Sequence, residues 1–482
     1  MTPDGFVFGE RTAIALRSLS EQLTYGELAF RVNHAAAVLD TELAATKPGY
    51  RRHVLVVIDH SVDSVVALLA ASLVGLAIPA TSRDIEAGHF SDVPIDISVA
   101  PDGEHVTAAG RYRLSYECIR DGARDSTCAR TDPSEPSILV STSGTTGARK
   151  WVVHSRNTLA SAAGLVAKEM RLSAADVSLA VMPLNHTHGL VTTLLAPLTS
   201  GGTVVLADPR DVMSMRSAME QRVSCVSASP TLHRYILKVR ELFSGDRFNP
   251  DRVRIASDTL TPQLLGQLLD AYSVPVIDTY ALTELPGTIM TRTLRRIDDL
   301  ASLYRPAPSV VCRVGRETAP SERERGELLV DGPHRMCGFY DTDRRDVSPA
   351  SIAGFVASGD LVDTSHDDEY RLIGRAKEMI NRGGETIPPA TVERIVERVD
   401  GVSGALAFGE PHDLLGEAVA VAVTVTPGTG RNEVRSKILG AVPSSLQPMT
   451  VYVVDDLPVK ENGKVDRSAA RKRIQSEKGF VA

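Results

Sequence analysis

Over most of the first 370 residues, short apolar runs alternate with amphipathic segments, and that alternation restricts the chain to an α/β architecture. Strands are expected at His53–Asp59, Ser137–Ser141, Thr203–Ala207 and Val274–Tyr280, and helices at Tyr25–Leu39 and Asn157–Met170. In the second helix Leu159, Ala163, Val166 and Met170 share a face, with Ser155 or Asn157 placed to cap its start. The most apolar stretch is VVALLAASLVGLAIPA (Val65–Ala80). It falls short of the about 20 residues a membrane span needs and is interrupted by Gly75 and Pro79. A buried helix running into a strand accounts for it.

Near residue 375 the pattern changes. RLIGRAKEMINRGGETIPPATVERIVERV holds a charged linker, a Gly-Gly turn and a helix begun by Pro388-Pro389, with Val392, Ile395, Val396 and Val399 as its buried stripe. Strands GALAFG and EAVAVAVTV, helix NEVRSKILGAV and strand TVYVVD follow, enough for a small α+β unit of about 100 residues. The expected fold class is therefore α/β. A large N-terminal domain of several subdomains spans residues 1–375, and a small C-terminal α+β domain spans 376–482.

Composition narrows the function classes. A net charge of −7 over 482 residues, with no long basic block, leaves no footprint for nucleic acid. The start, MTPDGFVFGERTAIAL, lacks a basic segment followed by an apolar one, so secretion is not expected. The five cysteines are far apart, without a C-x-x-C pair. They fit free thiols in a reducing cytoplasm better than a disulfide framework or a zinc site.

The chemistry is concentrated in STSGTTGARK (Ser141–Lys150): five hydroxyl side chains, two glycines and a closing Arg-Lys pair. Glycines admit close backbone approach to an anion, hydroxyls donate hydrogen bonds and lysine supplies a point charge, which is the chemistry of a polyphosphate cradle. A polar surface turn between two strands is the alternative. The stretch is not a Walker-type loop, since no glycine precedes Lys150 and Trp151 follows it.

Nine motifs occur in order: LTYGEL (Leu23–Leu28), LLAASLVGLAIPA (Leu68–Ala80), STSGTTGARK, PLNHTHGL (Pro183–Leu190), TYALTE (Thr279–Glu284), GELLVDGP (Gly326–Pro333), SGDLV (Ser358–Val362), GRAKEMINRGGETIPP (Gly374–Pro389) and PVKENGKVDR (Pro458–Arg467). The series resembles the adenylate-forming superfamily of acyl-CoA synthetases, peptide-synthetase adenylation domains and firefly-type luciferases, and within it carboxylate–CoA ligases most. The resemblance spans nearly the whole chain and implies ATP, Mg²⁺ and coenzyme A as reactants and cofactors.

It also implies roles. Thr142, Ser143, Gly144, Thr145, Thr146, Gly147 and Lys150 would hold the β- and γ-phosphates, Glu284 the Mg²⁺, and Thr283 the α-phosphate. Tyr280 would lie against adenine, while Asp360 and Arg375 would take the ribose. The flanking Asp278, Thr279, Ala281 and Ile373 fall in the same nucleotide site, as does the Ser257–Asp258–Thr259 segment. Lys464 would bridge the carboxylate and the α-phosphate, His186 would stand at the mouth of the acyl pocket, and Lys377 would be a hinge. Rotation about it would bring Gly383, Gly384 and Glu385 to the site to receive a pantetheine arm. Each residue also has an ordinary structural role open to it: Tyr280 in a core, Glu284 as a cap, Asp360 as a turn acid, Lys464 in a hairpin turn, and 383–385 as the turn before a helix.

The chain departs from the family pattern at three places. Ala281 stands where relatives usually carry glycine, SGD replaces TGD, and IASDTLTP (Ile255–Pro262) replaces a Gly-Gly-Ala-Pro run. Ser257, Asp258 and Thr259 add polar groups to a wall of the acyl and adenine pockets, unless Asp258 only satisfies local backbone. Thr187 occupies the place of the aspartate that holds an α-ammonium group in peptide-synthetase domains, which disfavours an amino acid substrate. The resulting expectation is ATP-dependent activation of a small or polar carboxylic acid, followed by thioester formation with CoA. The alternatives are transfer to a carrier-protein pantetheine or an amine, or activation of another oxyanion. A luciferase-like oxygenase and a catalytically dead nucleotide-binding module stand further off.

Overall fold

A computed structural model describes residues 9–44, 52–101, 112–121, 130–142, 150–243, 247–315, 324–349, 354–366, 368–458 and 465–478. Among these the chain forms β-sheets of nine, eight, four and five strands.

The nine-stranded sheet holds six neighbouring parallel strands, Ile14–Arg17, Thr203–Leu206, Val177–Ala180, Cys225–Ala228, Arg252–Ala256 and Val276–Tyr280. Their side chains feed cores on both faces. Ala180, Val204 and Leu206 belong to one apolar cluster, and Leu179, Val205 and Val226 to another. A parallel sheet covered on both sides explains why these segments read as continuous apolar runs rather than alternating ones. Ligand crevices in such sheets form beyond the carboxyl ends of the strands. The candidate residues after Ala180, Ala228, Ala256 and Tyr280 therefore share one edge.

In the eight-stranded sheet, helix Val62–Val74 runs into strand Leu76–Ala80, as the apolar stretch predicts. Ser61 caps the helix by accepting the Ser64 N–H, and a side chain at Gly75 would meet the Arg52 carbonyl at 2.6 Å. Strands Pro136–Thr142 and Lys150–Ser155 form an antiparallel hairpin with Thr142 paired to Lys150. Helix Arg156–Met170 follows directly. Ser155 rather than Asn157 is its cap, accepting the Thr158 N–H in a capping box.

A four-stranded antiparallel sheet pairs Val356–His366 with Glu369–Arg375. The turn Ala376–Glu378 leads from it to the five-stranded sheet. That sheet begins with hairpin Ile380–Arg382/Glu385–Ile387 and continues through helix Pro389–Val396, strands Val402–His412 and Gly416–Val425, helix Arg431–Ala441 and strand Thr450–Val453. Val392, Val396 and Val399 enter its core and Ile395 packs against it, matching the expected stripe. The molecule is thus a large α/β domain with a small α+β domain at its C-terminal end. Among the described residues no helix is long and apolar enough to cross a membrane.

Candidate active site

The site is assembled where the carboxyl edge of the parallel sheet meets the four-stranded sheet. Strand Val276–Tyr280 delivers Tyr280, whose hydroxyl donates to Asp360 Oδ2 at 2.5 Å. Arg375 Nε lies 3.0 Å from Asp360 Oδ1, and the backbone register pairs the two residues directly. Burial, reinforced by the Asp360 charge, holds the Tyr280 phenol protonated well above its usual range, so it acts as a donor. Within strand Val356–His366, Gly359 takes φ +73° where the register with the neighbouring strand shifts, and its N–H donates to Glu327 Oε1 at 2.8 Å. Ile373 is the extra residue of a β-bulge opposite Leu361 and Val362, a device that re-aims a strand beside a site.

Thr283 and Glu284 lie on the loop that leaves Tyr280. Its two ends are clamped from below by a buried ion pair. Glu169, on helix Arg156–Met170, accepts from Thr279 Oγ1 at 2.6 Å and from Thr288 Oγ1 at 2.7 Å. Arg254 pairs with Glu169 through Nε at 2.9 Å and donates to the Gly287 carbonyl at 2.6 Å. The middle of the loop is pinned as well: His154 Nε2 donates to the Thr283 carbonyl, and the Met336 N–H to the Glu284 carbonyl, both at 2.9 Å. The half-buried Glu284 carboxylate itself pairs with no described residue.

Two of the expected site residues make their side-chain contacts in the interior. The Asp278 carboxylate is buried against Arg292 at 2.7 Å and the Tyr304 hydroxyl at 2.7 Å. The Thr279 side chain is spent on Glu169. In a strand alternate side chains face opposite ways, so Asp278 and Tyr280 point to one face and Thr279 to the other. Ala281 lies outside the positive-φ region, so its methyl group is carried without backbone strain.

In the Ser257–Asp258–Thr259 segment the three side chains diverge. Ser257 has φ +79°, the left-handed region that normally demands glycine, and its hydroxyl meets His188 Nδ1 at 2.8 Å. The exposed Asp258 carboxylate accepts the Thr259 N–H at 2.8 Å, the local-backbone role that was the simpler of its two alternatives. His188 opens a π-helical segment, His188–Leu195, and its Nε2 meets Ser227 Oγ at 2.9 Å. Gly189 is required there because a Cβ would approach the Pro183 carbonyl to 2.2 Å. His186, two residues earlier, is half-buried in the same turn.

The remaining candidates lie further apart. Thr142 and Lys150 end the hairpin strands, with the Lys150 ammonium 5.1 Å from the centre of the Phe339 ring; Ser143, Gly144, Thr145, Thr146 and Gly147 lie outside the described residues. So does Lys464. Arg467, three residues on, pairs with Glu393 at 2.7 Å and with Glu378 at 3.3 Å, beside the exposed Lys377. The charge of Asp258 acts on both Arg467 and Glu397. Burial first, then Glu393, pushes the Glu397 carboxyl up to about 7. Gly383 and Gly384, at φ +57° and +89°, form an exposed turn with Glu385, and its hydrogen bonds stay within the small domain.

Three buried histidines surround this scaffold. His154 and His334 lie beneath the Thr283 loop, and His233 Nε2 donates to the Arg254 carbonyl at 2.9 Å. Burial depresses each from its ordinary 6.5 to about 4. The unfolded chain therefore takes up protons near pH 6.5 that the folded chain refuses until about pH 4. Stability is expected to be unaffected by these groups above pH 7, to fall as pH drops through that window, and to lose up to about 3 kcal/mol per histidine. Denaturant unfolding between pH 8 and 4 reads this directly. His334→Leu, which removes two ring nitrogens without partners among the described residues, is expected to flatten the acid limb; an unchanged pH profile would refute the assignment.

Sequence reasoning missed Glu169, Arg254, Ser227, His188 and His154. The available signal was weak: a charged residue within an apolar strand (Arg254) and within a helix whose other face is buried (Glu169).

The family profile described as AMP-binding enzyme matches residues 88–340, and that of the AMP-binding enzyme C-terminal domain matches residues 391–464. A probable CoA ligase of Humulus lupulus is 28% identical over 95% of this chain and 93% of its own length. An oxalate–CoA ligase of Arabidopsis thaliana is 28% identical over 75% of this chain and 73% of its own. The crystal structure of ATP-bound MatB from Rhodopseudomonas palustris superposes with a TM-score of 0.83 at 21% identity, covering 98% of this chain and 97% of that one.

Proposed function

The chain belongs to the AMP-binding enzyme family, and on that premise we propose that it is an ATP-dependent acid–thiol ligase. It joins a small or polar carboxylic acid to AMP with release of pyrophosphate, then passes the acyl group to CoA. The observation that carries this reading is the Asp360–Tyr280–Arg375 cluster standing at the same sheet edge as the clamped Thr283–Glu284 loop. Asp360 and Arg375 would take the ribose, Tyr280 the adenine, Thr283 the α-phosphate, and the 142–150 hairpin the departing diphosphate.

A carboxylate with no side-chain partner among the described residues, half-buried and held by a clamped loop, suits a hard divalent cation that takes its other ligands from phosphates and water. Glu284 would hold Mg²⁺, which would neutralise phosphate charge when bound. The related oxalate–CoA ligase supports a small polar acid, as do the hydroxyls around Ser257. The small domain, hinged near Lys377 with a boundary at 375/376, would deliver first Lys464 and then the Gly383–Glu385 turn. Support comes from Arg467, which ties the residues after Lys464 to the turn that holds Lys377. The free thiols of Cys118, Cys225, Cys312 and Cys337 fit a cytoplasmic location.

Pyrophosphate release across a panel of acids, run with and without CoA, tests the reading. Thioester formation with CoA is the expected outcome; transfer only to a carrier-protein thiol or an amine, or activation of a non-carboxylate oxyanion, would replace its second half. Asp360→Asn is expected to raise the KM for ATP at least about ten-fold while leaving the KM for the acid unchanged, because hydrogen bonds to a charged acceptor are weakened. An unaltered KM for ATP would remove Asp360 from the nucleotide site.

A further inference from the structure

Ser257 carries its hydroxyl on a strained backbone at φ +79°, and a chain of hydrogen-bonded groups behind it dictates which role its oxygen takes. Arg254, 1% exposed, is always a donor, and its Nη1 lies 3.2 Å from Ser227 Oγ. Ser227 is itself buried, and His188 Nε2, at 2.9 Å, is the acceptor beside it. The arrangement that leaves no buried hydrogen unpaired has Ser227 donating to Nε2. His188 then carries its hydrogen on Nδ1 and donates to Ser257 Oγ at 2.8 Å. With its oxygen accepting from His188, Ser257 has its own hydrogen left to donate.

Backbone register says where that donor lies. Ala256 pairs with Thr279 between parallel strands, so Ser257 stands level with Tyr280 on the carboxyl edge. It is partly exposed there. A serine at φ +79° is conformationally costly where glycine would be free, and strain of this kind persists where the side chain has a task.

We propose that Ser257 is a specificity-determining residue: its outward hydroxyl donates to a second acceptor oxygen on the acid substrate, oriented by the Glu169–Arg254–Ser227–His188 chain. The substrate class that fits is a short acid with a further carboxylate beside the one that is activated. This rests on the acid–thiol ligase reading above and names the substrate class for that site.

The test compares matched acids, oxalate against acetate, malonate against propanoate and succinate against butanoate, by pyrophosphate release from wild type, Ser257→Gly and Ser227→Ala. In the diacid the wild type uses best, Ser257→Gly is expected to lower kcat/KM about ten- to hundred-fold, as loss of a hydrogen bond to a charged oxygen predicts. The matched monoacid should fall less, so that the diacid-to-monoacid ratio of kcat/KM drops about ten-fold or more, while any change in the KM for ATP is shared by both acids. Ser257→Gly should melt no lower than wild type, because glycine relieves the positive φ. In ¹⁵N spectra His188 should carry its hydrogen on Nδ1 in wild type and lose that preference in Ser227→Ala, with a smaller loss of diacid activity. Equal effects on diacid and monoacid, or none on either, would overturn the proposal while leaving the ligase reading intact. A wild type that activates none of the six acids but does activate larger ones overturns the substrate class, and one that activates no acid at all overturns the ligase reading as well.

Discussion

Arg254→Ala is expected to cost about 3–5 kcal/mol of folding stability. The substitution leaves the Glu169 carboxylate, 6% exposed, with two hydroxyl donors and no compensating cation. It also frees the Gly287 carbonyl and opens a void beneath the site. Against the 5–15 kcal/mol that typically holds a domain together, that loss is a large fraction. Denaturant unfolding at constant pH measures it. The double substitution Arg254→Met/Glu169→Gln should recover much of the loss, since removing both charges avoids the unpaired one. A cost below about 1 kcal/mol for Arg254→Ala would mean the pair does not clamp the loop that carries Thr283 and Glu284.

Lys464→Ala is expected to lower the rate of adenylation by at least about 10²–10³-fold while changing thioester formation from a supplied acyl adenylate only a few-fold. Bringing a carboxylate up to an α-phosphate opposes two anions, at about 4 kcal/mol for 4 Å in an effective dielectric near 20. An ammonium group delivered to that point by Lys464 would offset the repulsion as the new bond forms. Once the adenylate exists, one of the two charges is gone and the lysine has little left to do. Single-turnover measurement of the two half-reactions separates these effects. Loss of both to the same degree would show that Lys464 supports the fold or the substrate pocket rather than the first step.

Much of the architecture was legible because burial imposes periodicity on sequence. The helix-to-strand run at Val65–Ala80, the hairpin around residues 142–150 and the small domain's order of elements follow from apolar patterning punctuated by Gly, Pro and capping residues. Helix starts were less legible: Ser155 and Asn157 are both able to cap, and only the Thr158 N–H pointing at Ser155 decides between them. Within the site, TYALTE named a stretch without saying which side chains leave it. Asp278 and Thr279 turn to Arg292 and Glu169, while Tyr280 turns to Asp360, a partner 80 residues away.

What sequence alone determined here is the chemistry available and its order along the chain: a hydroxyl-rich loop, an acid at the end of one strand, a lysine in the tail. These are local properties, set by residue type and by hydrophobic period. Tertiary structure decided which polar groups work together. Glu169, Ser227, Arg254 and Ser257 lie up to 88 residues apart and bear no shared motif. Ser227, Arg254 and Ser257 come together because their parallel strands lie side by side, and helix Arg156–Met170, packed on the sheet, brings Glu169 to the buried Arg254 charge. A hydrogen bond inside a low-dielectric core depends on distances of tenths of an ångström, and no spacing in a linear sequence encodes those.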